Sequence, residues 1–156
     1  MGLFDRRGPF RRQRDGTYVV DLGEEERRLV ANLMVQLRSL LGTDSPALVR
    51  LFPPAYGDDE ERNRGYAALA GAELMERRLA AIEAVEETLG EDRLTEEQLE
   101  TWMRSVNDLR LVLGTILDVT EEDREPPDPD DDAAPLFAAY EYLGYLLEHI
   151  VAALAA

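Results

Sequence analysis

The stretch from Leu99 to Leu117, LETWMRSVNDLRLVLGTIL, constrains the fold more than any other. Leu99, Trp102, Met103, Val106, Leu109, Leu113, Ile116 and Leu117 recur at spacings of three, four and one, the period of a helix with a wide apolar face. Leu111 and Val112 lie beside that face, so from Leu109 onward only Arg110, Gly114 and Thr115 interrupt the apolar surface. A helix apolar on nearly every side packs at the centre of a fold. Its start is also written: Thr95 can cap, and Gln98 completes a capping box.

Other helices are legible around it. Leu29, Val30, Leu33, Met34, Leu37, Leu40 and Leu41 form one stripe, with Asp21 and Glu24 expected as its capping pair and Gly42 as its stop. Leu74, Met75, Leu79, Ile82, Val85 and Leu89 form a second, in a helix starting at Glu60 or Tyr66 and closed by a turn at Gly90-Glu91-Asp92. Arg77 and Arg78 on it read as surface ion-pair partners. Leu136, Phe137, Tyr140, Leu143, Leu147, Ile150, Val151 and Leu154 form the last, starting at Pro135. The segment Thr17–Leu22, TYVVDL, is β-prone, and one strand is not stable alone. It either pairs with a second copy or lies extended against the bundle. The expected fold is all-α: four main helices preceded by a short extended or β segment.

At 156 residues the chain fits one domain with a substantial core. We expect a basic flexible arm at 1–16 and a single helical domain over 17–156. An acidic, proline-rich loop at 118–134 lies within that domain. Acidic residues number 33 against 17 basic ones, all arginine, for a net charge of -16. Such a charge repels nucleic acid at long range but does not prevent a local basic element from binding. There is no cysteine, which excludes disulfides, thiolate metal sites and thiol redox chemistry in these residues. No signal-peptide pattern and no apolar run of membrane-spanning length is present, so the cytoplasm is the expected compartment.

Three groups of residues are candidates for function. Arg6, Arg7, Arg11, Arg12 and Arg14 make the arm basic and could contact phosphate, because the guanidinium fork donates two parallel hydrogen bonds. The alternative is that the arm lies on the protein's own acidic surface. Phe52, Tyr56, Asp58 and Asp59 belong to a proline-stiffened turn, LFPPAYGDDEE, and Asn107, Asp108 and Arg110 interrupt the central helix. These seven form either a partner-binding surface or a structural polar network. Arg104 stands four residues before Asp108 and can pair with it, while Arg110 could reach the acids near Asp58. Tyr140, Leu143, Leu147, Ile150 and Val151 are the candidate homodimer interface, since tyrosine is enriched where one surface meets another. Burial within one chain is the alternative.

Chemistry is not evident. His149 is the only histidine, beside Glu148 and near Tyr145, and reads as a surface or interface residue. The four acids Asp58–Glu61 have no ligand spacing for a metal. There is no GxSxG, HExxH or phosphate-cradling glycine pattern. We expect no enzyme activity, no cofactor and no metal.

The LFPPAYGDDEE turn, the stretch VNDLRLVLGTILDVTEED at 106–123 and the tyrosine- and leucine-rich final helix together resemble an actinobacterial family catalogued as a domain of unknown function. The resemblance covers the chain from Tyr18 onward, and NDLRLVLGT is its most specific part. It implies a family typically encoded near a Clp-protease adaptor. One mycobacterial relative is described as an oxidation-sensing transcriptional regulator that uses a cysteine pair and works with an alternative sigma factor. This chain departs at that point, having no cysteine, so direct thiol sensing does not carry over. The resemblance therefore implies a cytoplasmic transcriptional regulatory protein acting with RNA polymerase or a sigma factor. The alternative class is a protein-binding adaptor or scaffold without DNA contact.

Overall fold

The computed structural model describes residues 8–52, 60–118 and 126–156. Three short strands, β1 (Phe10–Arg12), β2 (Tyr18–Val20) and β3 (Arg93–Leu94), accompany four helices, α1 (Glu24–Leu41), α2 (Glu60–Thr88), α3 (Glu96–Ile116) and α4 (Ala134–Ala155). A single 3₁₀ turn, Pro46–Leu48, follows α1. The architecture is mostly helical with a small antiparallel sheet in the order β1-β2-β3.

The sheet corrects both expectations for this segment, pairing with a second copy and lying extended against the bundle. Phe10 pairs with Val20 and Arg12 with Tyr18, while Tyr18 also pairs with Leu94 on the other side. TYVVDL therefore finds both partners within its own chain. The β1–β2 turn is built on a Gln13 N–H donated to the Thr17 carbonyl at 2.7 Å and a left-handed Gly16 at φ +85. The expected flexible arm is thus ordered sheet from Phe10 on. What holds it is apolar: Phe10 is 4% exposed and meets Trp102 edge to face, ring centroids 6.0 Å apart.

The cap of α1 also shifts. Gly23 is the N-cap, and its N–H donates to the Glu26 carboxylate at 2.8 Å. Asp21 cannot serve because it still belongs to the sheet, donating its N–H to Pro9 at 2.7 Å and accepting Arg11 at 3.3 Å. Gly42 ends α1 as expected. The capping box of α3 forms as read: Thr95 Oγ1 accepts the Gln98 N–H at 3.1 Å and Gln98 Oε1 accepts the Thr95 N–H at 2.8 Å.

Helix α3 is the centre. It packs against α4, α2, the 3₁₀ turn and α1. Leu99, Trp102, Val106, Leu109, Val112 and Leu113 are buried on it, while its last turn surfaces with Ile116 49% exposed. Each fully buried leucine or valine contributes about 1.5–3 kcal/mol relative to exposure. The indole N–H of Trp102 donates to Thr88 Oγ1 at 2.7 Å, so the only buried donor of that ring is satisfied by the last residue of α2. Arg27 then ties sheet to bundle, donating to the Leu22, Leu89 and Glu91 carbonyls at 3.0, 2.7 and 2.8 Å.

On α4, Leu143, Leu146 and Ile150 are fully buried against this core. The stripe expected as a homodimer interface is therefore used largely within one chain. Leu143 and Ile150 have no area left for a second copy, Tyr140 and Leu147 are half-buried, and only Val151 is exposed, at 48%. An apolar helix buries its stripe on the nearest available core, and α3 provides it. Among the described residues, no helix is long and apolar enough to cross a membrane.

Candidate functional site

Two of the three polar residues that interrupt α3, Asp108 and Arg110, serve two different arrangements on opposite sides of the helix. Asp108 is 6% exposed and is reached by Arg78 of α2, whose Nη1 donates to Oδ1 at 2.9 Å and Oδ2 at 2.8 Å. Arg78 Nη2 donates to the Leu51 carbonyl at 2.9 Å, and its guanidinium lies 5.6 Å from the Phe52 ring centre. One side chain thereby joins α2, α3 and the segment after the 3₁₀ turn. Burial pushes the Asp108 carboxyl above its ordinary pKa of 3.8, and the Arg78 charge and hydrogen bonds offset this only in part.

This corrects two readings. Arg104 does not pair with Asp108; it donates to Thr101 at 3.2 Å. Arg78 is not a surface partner, its side chain being 22% exposed. The intrahelical spacing was compatible with an Arg104–Asp108 pair. A guanidinium from the neighbouring helix instead reaches both oxygens of a carboxylate already sheltered by packing.

Arg110 occupies the α3–α4 side. Its guanidinium stacks on Tyr140, 4.6 Å from the ring centre. Gly144 permits this approach: a Cβ there would stand 3.2 Å from Arg110 Nε. Gly114 does the same at the other edge of Tyr140, where a Cβ would meet the ring at 3.3 Å and Arg50 Nη1 at 3.4 Å. Two glycines thus make room around one tyrosine, Gly144 for Arg110 and Gly114 for the ring itself. Arg110 Nε is buried without a hydrogen-bond partner among the described residues. A cleft of about 290 Å³ opens here. The expected reach of Arg110 to the acids near Asp58 falls partly on residues 53–59, so Tyr56, Asp58 and Asp59 lie outside the described residues. Asn107 is exposed and joins neither arrangement.

Arg6 and Arg7 also lie outside the described residues. Arg11 pairs with Asp21 at 3.3 Å, and Arg12 donates to the Ala156 carbonyl. Arg14 is exposed in the β1–β2 turn. His149 packs against Tyr145, the rings tilted by 60° with centroids 4.5 Å apart, and lies beside Gly8, where a Cβ would come within 2.7 Å of its Nδ1. The described residues hold no group of three or more histidines and carboxylates placed to bind a metal.

What these features define is a helical domain whose buried polar groups brace one helix against the next. The chain belongs to the family described as "Domain of unknown function (DUF2017)", which matches residues 7–154. It is 32% identical over 133 residues to a Mycobacterium leprae protein named putative oxidative stress regulator AosR, covering 72% of this chain and 60% of that protein. Mycobacterium tuberculosis has a protein named oxidative stress regulator AosR. The two are 29% identical over 123 residues, covering 68% of this chain and 56% of that one. The chain therefore spans a little over half the length of the curated relatives it matches. No solved structure matches.

Proposed function

We propose that this chain is a non-enzymatic, cytoplasmic regulator of transcription that acts through contact with another protein, RNA polymerase or a sigma factor being the partner class. The regulatory names of its relatives support the first half of this reading. The observation that favours protein contact is that Arg11 and Arg12 are engaged by their own chain, on Asp21 and on the carbonyl of Ala156. A guanidinium with one N–H already engaged by its own chain offers phosphate fewer free donors and a fixed orientation. With a net charge of -16 the remaining surface suits a basic partner rather than DNA. Exposed apolar residues just after the 3₁₀ turn and at the end of α3, Val49 at 59% and Ile116 at 49%, offer the apolar part of such a contact. Homodimerisation belongs to this proposal only through the exposed part of α4, Tyr145 and Val151.

Tagged full-length chain expressed in its own host tests the reading by co-purification. Recovery of RNA polymerase subunits or a sigma factor, reduced by Val49→Glu or Ile116→Glu, supports it. Recovery of neither at low salt overturns it. The DNA-contact reading keeps one specific observation, Arg14 exposed at the tip of the β1–β2 turn, where phosphate could reach it.

A further inference from the structure

The α3–α4 cleft holds charges of both signs that do not meet. Arg110 stands on one wall, and Glu141 and Glu148 on the other. Among the described residues none of the three forms an ion pair or a side-chain hydrogen bond with any other residue. Glu141 and Glu148 lie two helical turns apart, about 10 Å along the α4 axis, with Gly144 between them. Gly144 is also where Arg110 enters, so the positive group sits at the level between the two negative ones. In a chain with almost twice as many acids as bases, an arginine this close to two carboxylates and bonded to neither leaves a gap.

The arginine is held, not free to swing across that gap. Tyr140 supports one face of the guanidinium at 4.6 Å, and Gly144 abuts the Nε edge. Nη2 also lies beside Gly144, 3.7 Å from where a Cβ would stand, and Arg110 lines the cleft at this level. A planar guanidinium held in one orientation is suited to a carboxylate, which it binds with two parallel hydrogen bonds. A simple anion would be opposed by Glu141, Glu148 and the net charge. A simple cation would be opposed by Arg110. A molecule carrying both charges answers Arg110 and one of the two carboxylates. The volume, about 290 Å³, is at the lower end of the range of about 300–1,000 Å³ for small-molecule sites. Aromatic walls are present: Tyr145 is 45% exposed and stacks on Tyr142 at 6.2 Å.

We propose that the α3–α4 cleft is a binding site for a small zwitterion of amino-acid type, its carboxylate on Arg110 and its ammonium group on Glu141 or Glu148. The proposal does not depend on the regulatory reading. A partner protein could bind elsewhere with the cleft empty, and the cleft could be filled whether or not a partner binds.

Saturation-transfer NMR on the full chain, with each common amino acid at about 10 mM, reads millimolar affinities directly. The expected result is transfer from one or a few amino acids. For the best of them, the N-acetylated derivative, which lacks the ammonium, and the amide, which lacks the carboxylate, each bind roughly tenfold more weakly or worse. Arg110→Met abolishes the signal, and Arg110→Lys, which keeps the charge but not the fork, restores only part of it. Glu141 and Glu148 are exposed on α4, so Glu141→Gln and Glu148→Gln leave the fold intact; the carboxylate that holds the ammonium is identified by a loss of affinity in one of them. No transfer from any amino acid, equal transfer from the doubly and singly charged forms, or undiminished transfer in Arg110→Met would overturn the proposal. So would binding seen only with blocked peptides, which would make the cleft a protein-docking surface.

Discussion

A single nitrogen of Arg78, Nη1, donates to both carboxylate oxygens of Asp108, at 2.9 and 2.8 Å. The pair is sheltered, with side-chain exposures of 22% and 9%. Its removal should therefore be costly from one side and mild from both. Arg78→Met leaves a buried carboxylate unpaired and should destabilise the domain by about 3 kcal/mol. Arg78→Met combined with Asp108→Leu should recover most of that loss, because no charge is left without a partner. Urea unfolding of the two variants against the parent measures both values.

The same pair makes a prediction about pH. Burial raises the Asp108 carboxyl above 3.8, so the folded state binds this proton more tightly than the unfolded chain does. Ionising Asp108 then subtracts stability as pH rises from the ordinary carboxylate value through the raised one. The cost of Asp108→Asn should accordingly be greatest in acid and shrink toward neutral pH. Unfolding free energies measured from about pH 3.5 to about pH 7, from near the ordinary carboxylate value upward, check the sign. A cost that grows with pH would mean that Arg78, not burial, dominates the carboxylate.

Trp102 and Thr88 supply an internal probe. The indole N–H donates to Thr88 Oγ1 at 2.7 Å, and this is the only tryptophan in the chain. Thr88→Val keeps the shape and removes the acceptor. It should cost about 1–3 kcal/mol, the penalty of an orphaned buried donor. The fluorescence maximum of Trp102 reports whether the ring stays buried while the bond is lost.

The N-terminal strand is held by Phe10, not by its arginines. Phe10→Ala should cost about 3 kcal/mol, as other large-to-small core changes do, and should speed amide exchange at Asp21, whose N–H donates to the Pro9 carbonyl. Arg14→Ala, at an exposed turn, should stay within about 0.5 kcal/mol. Equal effects from the two would return this segment to the status of a loose basic arm. Truncation to Thr17 is a poor test of DNA contact for the same reason: it removes a strand along with the charges.

These comparisons show where sequence was sufficient. The centrality of α3 was legible because Leu99, Trp102, Val106, Leu109 and Leu113 recur at helical spacing, and its cap because Thr95 and Gln98 stand three apart. Both signals are local. The partner of Asp108 was not legible, because Arg78 lies thirty positions away on another helix while Arg104 stood at the spacing that local reasoning favours. The sheet escaped notice for a related reason. β3 is two residues long, and β1 reads Phe-Arg-Arg, which has no apolar alternation to mark it. Arg110 stood out as a polar interruption, but its seat on Tyr140 depends on Gly144, whose meaning appears only when α3 and α4 are placed together.

The central claim, action through protein contact rather than through a basic arm on DNA, is tested most directly by a DNA-binding titration of the full chain at low and moderate salt. The parent is compared with a variant carrying Arg11→Gln, Arg12→Gln and Arg14→Gln. The account predicts only weak binding, in the range of about 10⁻⁴ M or poorer even at low salt, unchanged in the variant. Submicromolar binding that falls steeply with salt and is lost in a folded variant would contradict it and place the function on the arm.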